Sequence, residues 1–598
     1  MPDDQTFSPA LDRSTNGVTI SDRASLSSND VQPRPNEDET WRWLENAAEE
    51  SIRVRKEEAR FDEFSNYLDL YYGIHWPATL PTFRPPVVAN ELRTLILSEA
   101  SDLTESQLRV FITKDPRHGQ RDQQAEAAFR AVWAREQIDL QLMYAVTWAL
   151  IVGTGFLEIG WDPDNHHGLG DVFVRSMDPR HVLPDPDAVD DRSWAFVIKD
   201  HVFDLHEIRR LFPLSGYRVK PEDRWSIKDT TSAPEAATHP SYMGPLSTSG
   251  NLLGGIIAGY KKARARVLDC VVLDPAIEER IVPMTLPDGT PIRDANGDEQ
   301  LQQVIEPKYP HGRRIVGANH VILFDGPNPH PARGGNDHDF GVLRVCLEPP
   351  LGRFWGQGFV HQTAELQLAA DKLLSNIVEN AVRLNNGIVR ATTNTGLDWE
   401  TFAGIPAQVV QINPGSEFEI KYPPPMPPDM IEAPWRMLDL QRRLLGFQDA
   451  RMGAPGRGNV SPELTETEIA QSQAPSRLRA RMLYYTVQRL AEMIFARMAH
   501  GYIIPRAIPA VENETFEPIQ WEPLADPDKY AVFVDPASFT LMSKTLLRRL
   551  GIALYRLKAI DRRSLLERLA WPDWQETSKR LDEAERLAAI AQIKKNRK

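Results

Sequence analysis

Four stretches of this 598-residue chain combine residue types that carry chemistry in other proteins. Gly153-Thr154-Gly155 begins like a dinucleotide fingerprint, whose glycines let the backbone approach a pyrophosphate. The third glycine is misplaced, and the pair lies between a helical and a strand pattern rather than after a strand, so it reads as a turn. Gly453-Ala454-Pro455-Gly456-Arg457-Gly458 has the glycine content of a phosphate loop but lacks the Gly-Lys-Ser/Thr ending that holds phosphate and magnesium. His166, His167, His330, Asp337, His338 and Asp339 are metal-ligand types in Gly/Pro-rich loops, where no element sets their spacing. Asp185, Asp187, Asp190 and Asp191 lack the alternation and closing Glu of a calcium loop and read as solvated turn residues.

No nucleophile elbow and no His-Glu-x-x-His motif occurs. Two cysteines, Cys270 and Cys346, are too few for a disulfide framework or a four-thiolate zinc site. The expectation is a protein without catalytic residues, cofactor or metal. With 69 Lys+Arg against 83 Asp+Glu, the net charge of −14 argues against gripping nucleic acid over the whole surface, since such binding rests on phosphate neutralisation. The most apolar stretch, 144–157, is shorter than the roughly 20 residues that cross a bilayer. It reads as a buried helix followed by a strand, and the N-terminus shows no secretory pattern.

The elements that must position any site follow from periodicity. Residues 1–39 are polar and read as a disordered arm. Helical patterns run from Trp41 toward Tyr71, after Asn90, and over 122–150. Strand patterns follow at 156–159, 172–174, 267–273 and 314–324, with Asp288-Gly289 and Asn296-Gly297 as turn dipeptides and a loop over 226–255. The strongest helix runs from near Gln357 to about Leu384, with Leu366, Ala370, Leu373, Ile377, Ala381 and Leu384 forming one stripe and Asn385-Asn386-Gly387 as its stop. Short strands are expected over 388–422, including Val409-Val410. Prolines 423, 424, 425, 427 and 428 then read as a stiff connector before a helix at 433–448. A glycine-rich stretch leads into a helix over 464–500 that must accommodate Pro475 with a kink or a break, and 535–598 reads as charged helix. The class is α+β. A projecting pair of long helices leaves apolar surface for neighbouring copies to cover, unless it folds back on its own chain.

In the order of these stretches, the chain resembles the large portal proteins of short-tailed bacteriophages. The likeness rests on 145–162 ending Gly-Thr-Gly-Phe-Leu-Glu-Ile-Gly-Trp-Asp, on 174–186 with its two Asp-Pro turns, and on His206-Glu207-Ile208 leading to Leu211-Phe212-Pro213. It rests also on Phe354-Trp355-Gly356-Gln357-Gly358 running into Glu365, Gln367, Lys372, Leu373 and Asn380, and on 453–469 followed by 477–494.

The resemblance implies a portal fold assembled as a ring, usually of twelve copies, at one capsid vertex in the virion, after assembly in the host cytoplasm. It implies a wing over 40–353, a stem helix over 354–386, a clip over 387–428, a second stem helix over 429–452 and a tunnel loop over 453–463. A long wing helix and its return would cover 464–515, and a helical crown region 516–598. The implied function is a channel for packaging and ejecting double-stranded DNA. Its partners would be the terminase large subunit, the head-tail adaptor, and the major capsid and scaffolding proteins, with no membrane. Gly453, Arg457 and Asn459 are then candidates for touching DNA. Glu365, Asp371, Lys372 and Glu379 are stem candidates, for lining the tunnel or for pairing between subunits. The basic tail Lys594, Lys595, Arg597 and Lys598 meets packaged DNA or is a solvated helix end. The alternative from another class is a packaging enzyme, a metal-dependent nuclease or an ATPase, which needs clustered carboxylates or a nucleotide loop.

Overall fold

The computed structural model describes residues 36–59, 63–76, 85–105, 109–114, 120–163, 165–221, 263–283, 301–330, 338–385, 388–392, 413–421, 426–447, 473–508, 518–524 and 529–535, with short pieces between 551 and 583. Among these, the helices are α1 (Glu37–Ala59), α2 (Phe64–Tyr72), α3 (Glu91–Thr104), α4 (Gln123–Arg135), α5 (Ile138–Val152), α6 (Asn165–Gly168), α7 (Leu205–Leu211), α8 (Phe359–Asn385), α9 (Pro428–Leu445) and α10 (Ala474–Gly501). The strands are β1 (Val110–Thr113), β2 (Gly155–Asp162), β3 (Asp171–Met177), β4 (Val182–Pro184), β5 (Phe196–Asp204), β6 (Arg264–Val272), β7 (Ile277–Pro283) and β8 (Leu301–Pro307). They continue with β9 (Arg313–Ala318), β10 (Val321–Pro327), β11 (Val342–Val345), β12 (Ile388–Ala391), β13 (Phe418–Lys421), β14 (Arg506–Ile508), β15 (Ile519–Trp521) and β16 (Ala531–Val534). Helix and sheet are mixed, as the α+β reading requires. The chain forms two compact units, one of Met1–Ser101, Leu140–Gly160 and Val174–Pro475, the other of Asp102–Asp139, Trp161–Phe173 and Ser476–Lys598.

The first unit is built on a five-stranded antiparallel sheet ordered β10-β9-β6-β5-β4. Alternation sorts its side chains between two faces. Ile198, Leu268, Cys270 and Ile315 meet Trp41, Leu44 and Ala48 of α1. On the opposite face Val197 and Val271 share a core with Phe156 and Val342, which come from the three-stranded sheet β11-β2-β3. The inward stripe of α1 ends in polar side chains. Ser51 donates to the Pro184 carbonyl at 2.8 Å, and the fully buried Arg55 donates to the Arg180 carbonyl at 2.8 Å and to Pro179 and Val182 at 3.4 and 3.3 Å. The β-rich run 314–324 is a hairpin, turned by Asn319 and His320 at φ 45° and 64°. Two consecutive positive φ values are what a two-residue hairpin with native twist needs, and Asn tolerates them.

In the second unit β1 pairs with β16 and β14 with β15. Asp122 caps α4 by accepting from the amides of Gln124 and Ala125, both at 3.1 Å. The Asp171 carboxylate receives the Tyr502 hydroxyl and Arg135 at 2.5 Å each, and Arg506 stacks over the Tyr502 ring at 4.0 Å.

Several boundaries differ from those read in sequence. Helix α1 starts at Glu37, because Glu37, Asp38 and Glu39 favour its positive N-terminal end. Pro428 begins α9 instead of belonging to a connector, since a first-turn proline gives up no intrahelical hydrogen bond, and Pro434 lies inside that helix. Pro475 stands in the first turn of α10, which begins at Ala474, as the break expected there allows. The region 516–598 is not purely helical: β15 and β16 lie in it, and β16 pairs with residues 110–113 from the stretch read as wing. The segments 1–35, 226–255, 284–300, 393–412, 422–425 and 448–472 lie outside the described residues, so the loop, the turn dipeptides and Val409-Val410 expected there do too.

Candidate functional site

The long hairpin of α8 and α9 carries most of the residues singled out above, and its root is set by glycines. Gly153-Thr154-Gly155, which joins α5 to β2, packs against Gly356-Gln357-Gly358, which leads into α8. A Cβ on Gly153 or Gly358 would lie under 3.0 Å from backbone of the other segment or of α5, and Gly153 has φ 98°. Thr154, fully buried, accepts the Gly356 amide at 3.0 Å. The glycines thus serve close approach of two backbones rather than of a phosphate.

From this joint α8 presents a polar line to the interior. Thr363, Gln367, Asp371 and Ser375 recur every four residues, one above another on one face, and all are buried. Opposite them runs the extended stretch 85–90, opened by Pro85-Pro86. The Val87 amide donates to Ser375 at 3.1 Å, the Ala89 amide donates to Asp371 at 2.9 Å, and Gln367 donates to the Ala89 carbonyl at 2.6 Å. The other Asp371 oxygen meets His75 Nδ1, while His75 Nε2 donates to the Leu70 carbonyl at 2.9 Å. Both side chains of the His75–Asp371 pair are 0% exposed. With no opening to a substrate, the pair fastens α8 to the α2–α3 segment.

Asp371, a candidate for lining or flanking the tunnel or for pairing between subunits, is instead enclosed by its own chain. Glu365, Lys372 and Glu379 behave differently: at seven-residue spacing they share another side of α8, where Glu365 and Lys372 are exposed and Glu379 is half-buried with a partner. Gly453, Arg457, Asn459, Lys594, Lys595, Arg597 and Lys598 lie outside the described residues. Helix α9 lies along α8 through Pro434, Leu438, Gln441 and Leu445, with Phe359 and Phe447 in edge contact at its end. On one side of that seam Ile431 and Trp435 are exposed, Trp435 by 60%; on the other, Met430, Leu440 and Leu444 are exposed. Val378 and Val382 add exposed apolar surface on α8. Strands β12 and β13, between the two helices in sequence, pair with Ile388 opposite Lys421.

A buried ionisable cluster lies elsewhere in the first unit. Lys199 bonds Glu158 and Asp269 at 2.9 Å each, and Arg314 grips Asp269 through two 2.9 Å bonds. Burial opposes charge on Asp269, but Arg314 and Lys199 outweigh it and hold the carboxyl well below the ordinary range. His201, beside them and stacked on His181 at 6.1 Å, is lowered chiefly by burial, with Lys199 and His181 adding to the effect against Glu158 and Asp269. The cluster balances its own charges and joins two sheets. It has a pH consequence: the unfolded chain takes up a His201 proton near pH 6.5 that the folded chain refuses, so stability declines as pH falls below about 6.5, by at most ~1.4 kcal/mol per pH unit. Thermal melts from pH 8 to 5 are expected to show a shallower loss for His201→Gln than for the wild type; parallel curves would remove His201 as the cause.

Among the described residues no group of three or more His, Cys, Asp or Glu side chains is placed to hold a metal ion. Asp185 and Asp190 accept the amides of Asp187, Ala195, Arg192 and Ser193, which are turn contacts. No described helix is long and apolar enough to cross a membrane. Compared with known proteins, the sequence matches no protein family and no curated relative.

Proposed function

We propose that this chain is the subunit of a portal ring, the channel at one vertex of a tailed-phage capsid through which double-stranded DNA is packaged and later ejected. The observation that carries the reading is the pair of apolar flanks on α9. A helix seated along one seam that still exposes Ile431 and Trp435 on one side and Met430, Leu440 and Leu444 on the other offers two different surfaces. Two unlike surfaces suit a head-to-tail contact, and head-to-tail contacts close into rings when the rotation permits. The order of elements, a long helix, a small two-stranded module and a returning helix, is the order the portal resemblance implies. The opposite charges of the exposed Glu365 and Lys372 favour pairing with a neighbouring subunit over a uniformly acidic lining. In this reading β12–β13 belongs to the clip, which docks the terminase motor during filling and the tail adaptor afterwards. The ring itself performs no catalysis.

The test is electron microscopy and mass measurement on the purified full chain. Rings with a central channel are expected for the wild type, and Trp435→Glu combined with Leu440→Glu is expected to leave a folded species near 67.7 kDa. A wild type that stays monomeric at every concentration, or rings that survive the double substitution, would overturn the proposal.

A further inference from the structure

The second unit carries a charge arrangement that its own helix does not explain. From Ala474 to Ala491 helix α10 holds four arginines and no Asp or Glu, in a chain of net charge −14. The first turn contains no acidic residue. Cations near the positive end of a helix oppose its dipole, so this placement is not there for the helix. Some exposed helical arginines are neutralised locally, Arg53 by Glu50, Arg436 by Glu432 and Arg443 by Asp439, whereas Arg93 lies over the Tyr71 ring and Arg130 reaches the Glu126 carbonyl. Arg479 points inward and is buried. Arg477 and Arg481 are exposed, and among the described residues neither meets a carboxylate. Tyr485, 58% exposed, continues the same line at the next turn, with Leu478 exposed beside it. Arg477, Arg481 and Tyr485 therefore form a stripe spanning about 12 Å along one side of the helix.

We infer that this stripe binds the phosphate backbone of double-stranded DNA. The chemistry fits phosphate: two guanidinium forks about 6 Å apart present bidentate donors, and a tyrosine hydroxyl is a further backbone donor. A contact to phosphates carries no base readout, so it is indifferent to sequence. Two arginines per subunit hold DNA weakly enough for it to slide, which agrees with the acidic balance of the rest of the chain. The inference rests on the DNA-channel reading and gives it a contact outside residues 453–463, where the resemblance alone would put it.

The experiment is fluorescence anisotropy of a labelled 20-base-pair duplex of arbitrary sequence, titrated with the full chain from about 25 to 200 mM salt. Arg477→Ala/Arg481→Ala is expected to weaken binding roughly tenfold at the lowest salt and to flatten the slope of log K against log salt by about 2. Arg436→Ala/Arg443→Ala serves as the control and is expected to change neither, with melting curves matched across all proteins. Absence of binding by the wild type, or an unchanged affinity and slope in the stripe variant, overturns the inference. So does a stripe variant that loses self-association yet keeps its DNA affinity, which would assign the arginines to an acidic neighbouring copy. Imaging the same samples separates the two ideas: rings whose DNA affinity ignores the stripe leave the portal proposal standing alone. Arginine-dependent binding by a chain that never forms rings supports the stripe alone.

Discussion

Asp371→Ala is expected to lower stability by at least about 3 kcal/mol, because several buried hydrogen-bonding groups lose their partner at about 1–3 kcal/mol each. The carboxylate joins three things at once: the His75 ring, the Ala89 amide and Gln367. Alanine at this position strands all of them away from water, and α8 loses its fastening to 85–90. Asp371→Asn keeps an acceptor for the Ala89 amide and is expected to cost less. Because His75 and Asp371 act as a pair, removing both is expected to cost clearly less than the sum of the single changes. Denaturant melts of the four proteins check this. An Asp371→Ala variant within about 1 kcal/mol of the wild type would show that the line of polar side chains on α8 contributes little to anchoring it.

Gly153→Ala is expected to cost at least about 3 kcal/mol, from two sources that add. The residue sits at φ 98°, and its Cβ would overlap the Gly356 carbonyl and stand 2.5 Å from the Gln357 amide nitrogen. Backbone atoms cannot swing aside as a side chain does. Gly168 supplies the comparison: its φ is 89°, but nothing lies within 4 Å of where a Cβ would stand. Gly168→Ala is therefore expected to cost only the backbone strain, about 1–2 kcal/mol. Thr154→Val, which leaves the Gly356 amide without its acceptor, is expected to fall at about 1–3 kcal/mol. Equal losses for the two glycine variants in thermal melts would mean that close packing at the helix root is not what the glycine serves.

Much of the architecture was legible from local pattern. The apolar stripe of α8 predicted its ends to within two residues, and short apolar runs marked β2, β3 and β6, because burial writes its pattern directly into the residues. The turn reading of Gly153-Thr154-Gly155 and of the Asp185–Asp191 cluster also agrees with the structure. The hairpin at Asn319-His320 is hard to see in sequence because its turn lacks glycine, and the start of α9 because a proline breaks or begins a helix according to its position. Strands β15 and β16 are hidden in three- and four-residue runs, too short for a period to show.

The candidate site divides in the same way. Composition alone determined an acidic chain without a nucleotide loop or thiolate framework, and spacing alone placed two long helices around a small strand module. Which carboxylate faces inward was decided by tertiary structure. Asp371 and Lys372 are neighbours in sequence, yet 100° of helical rotation puts one against His75 and the other in solvent. Thr363, Gln367, Asp371 and Ser375 look like breaks in an apolar stripe until the extended backbone of 85–90 is laid against them. Likewise Arg477 and Arg481 differ from Arg479 only in the direction they point. Local sequence carries the period of an element, but the partner that a given face meets comes from residues some 280 positions away, and only the folded chain brings them together.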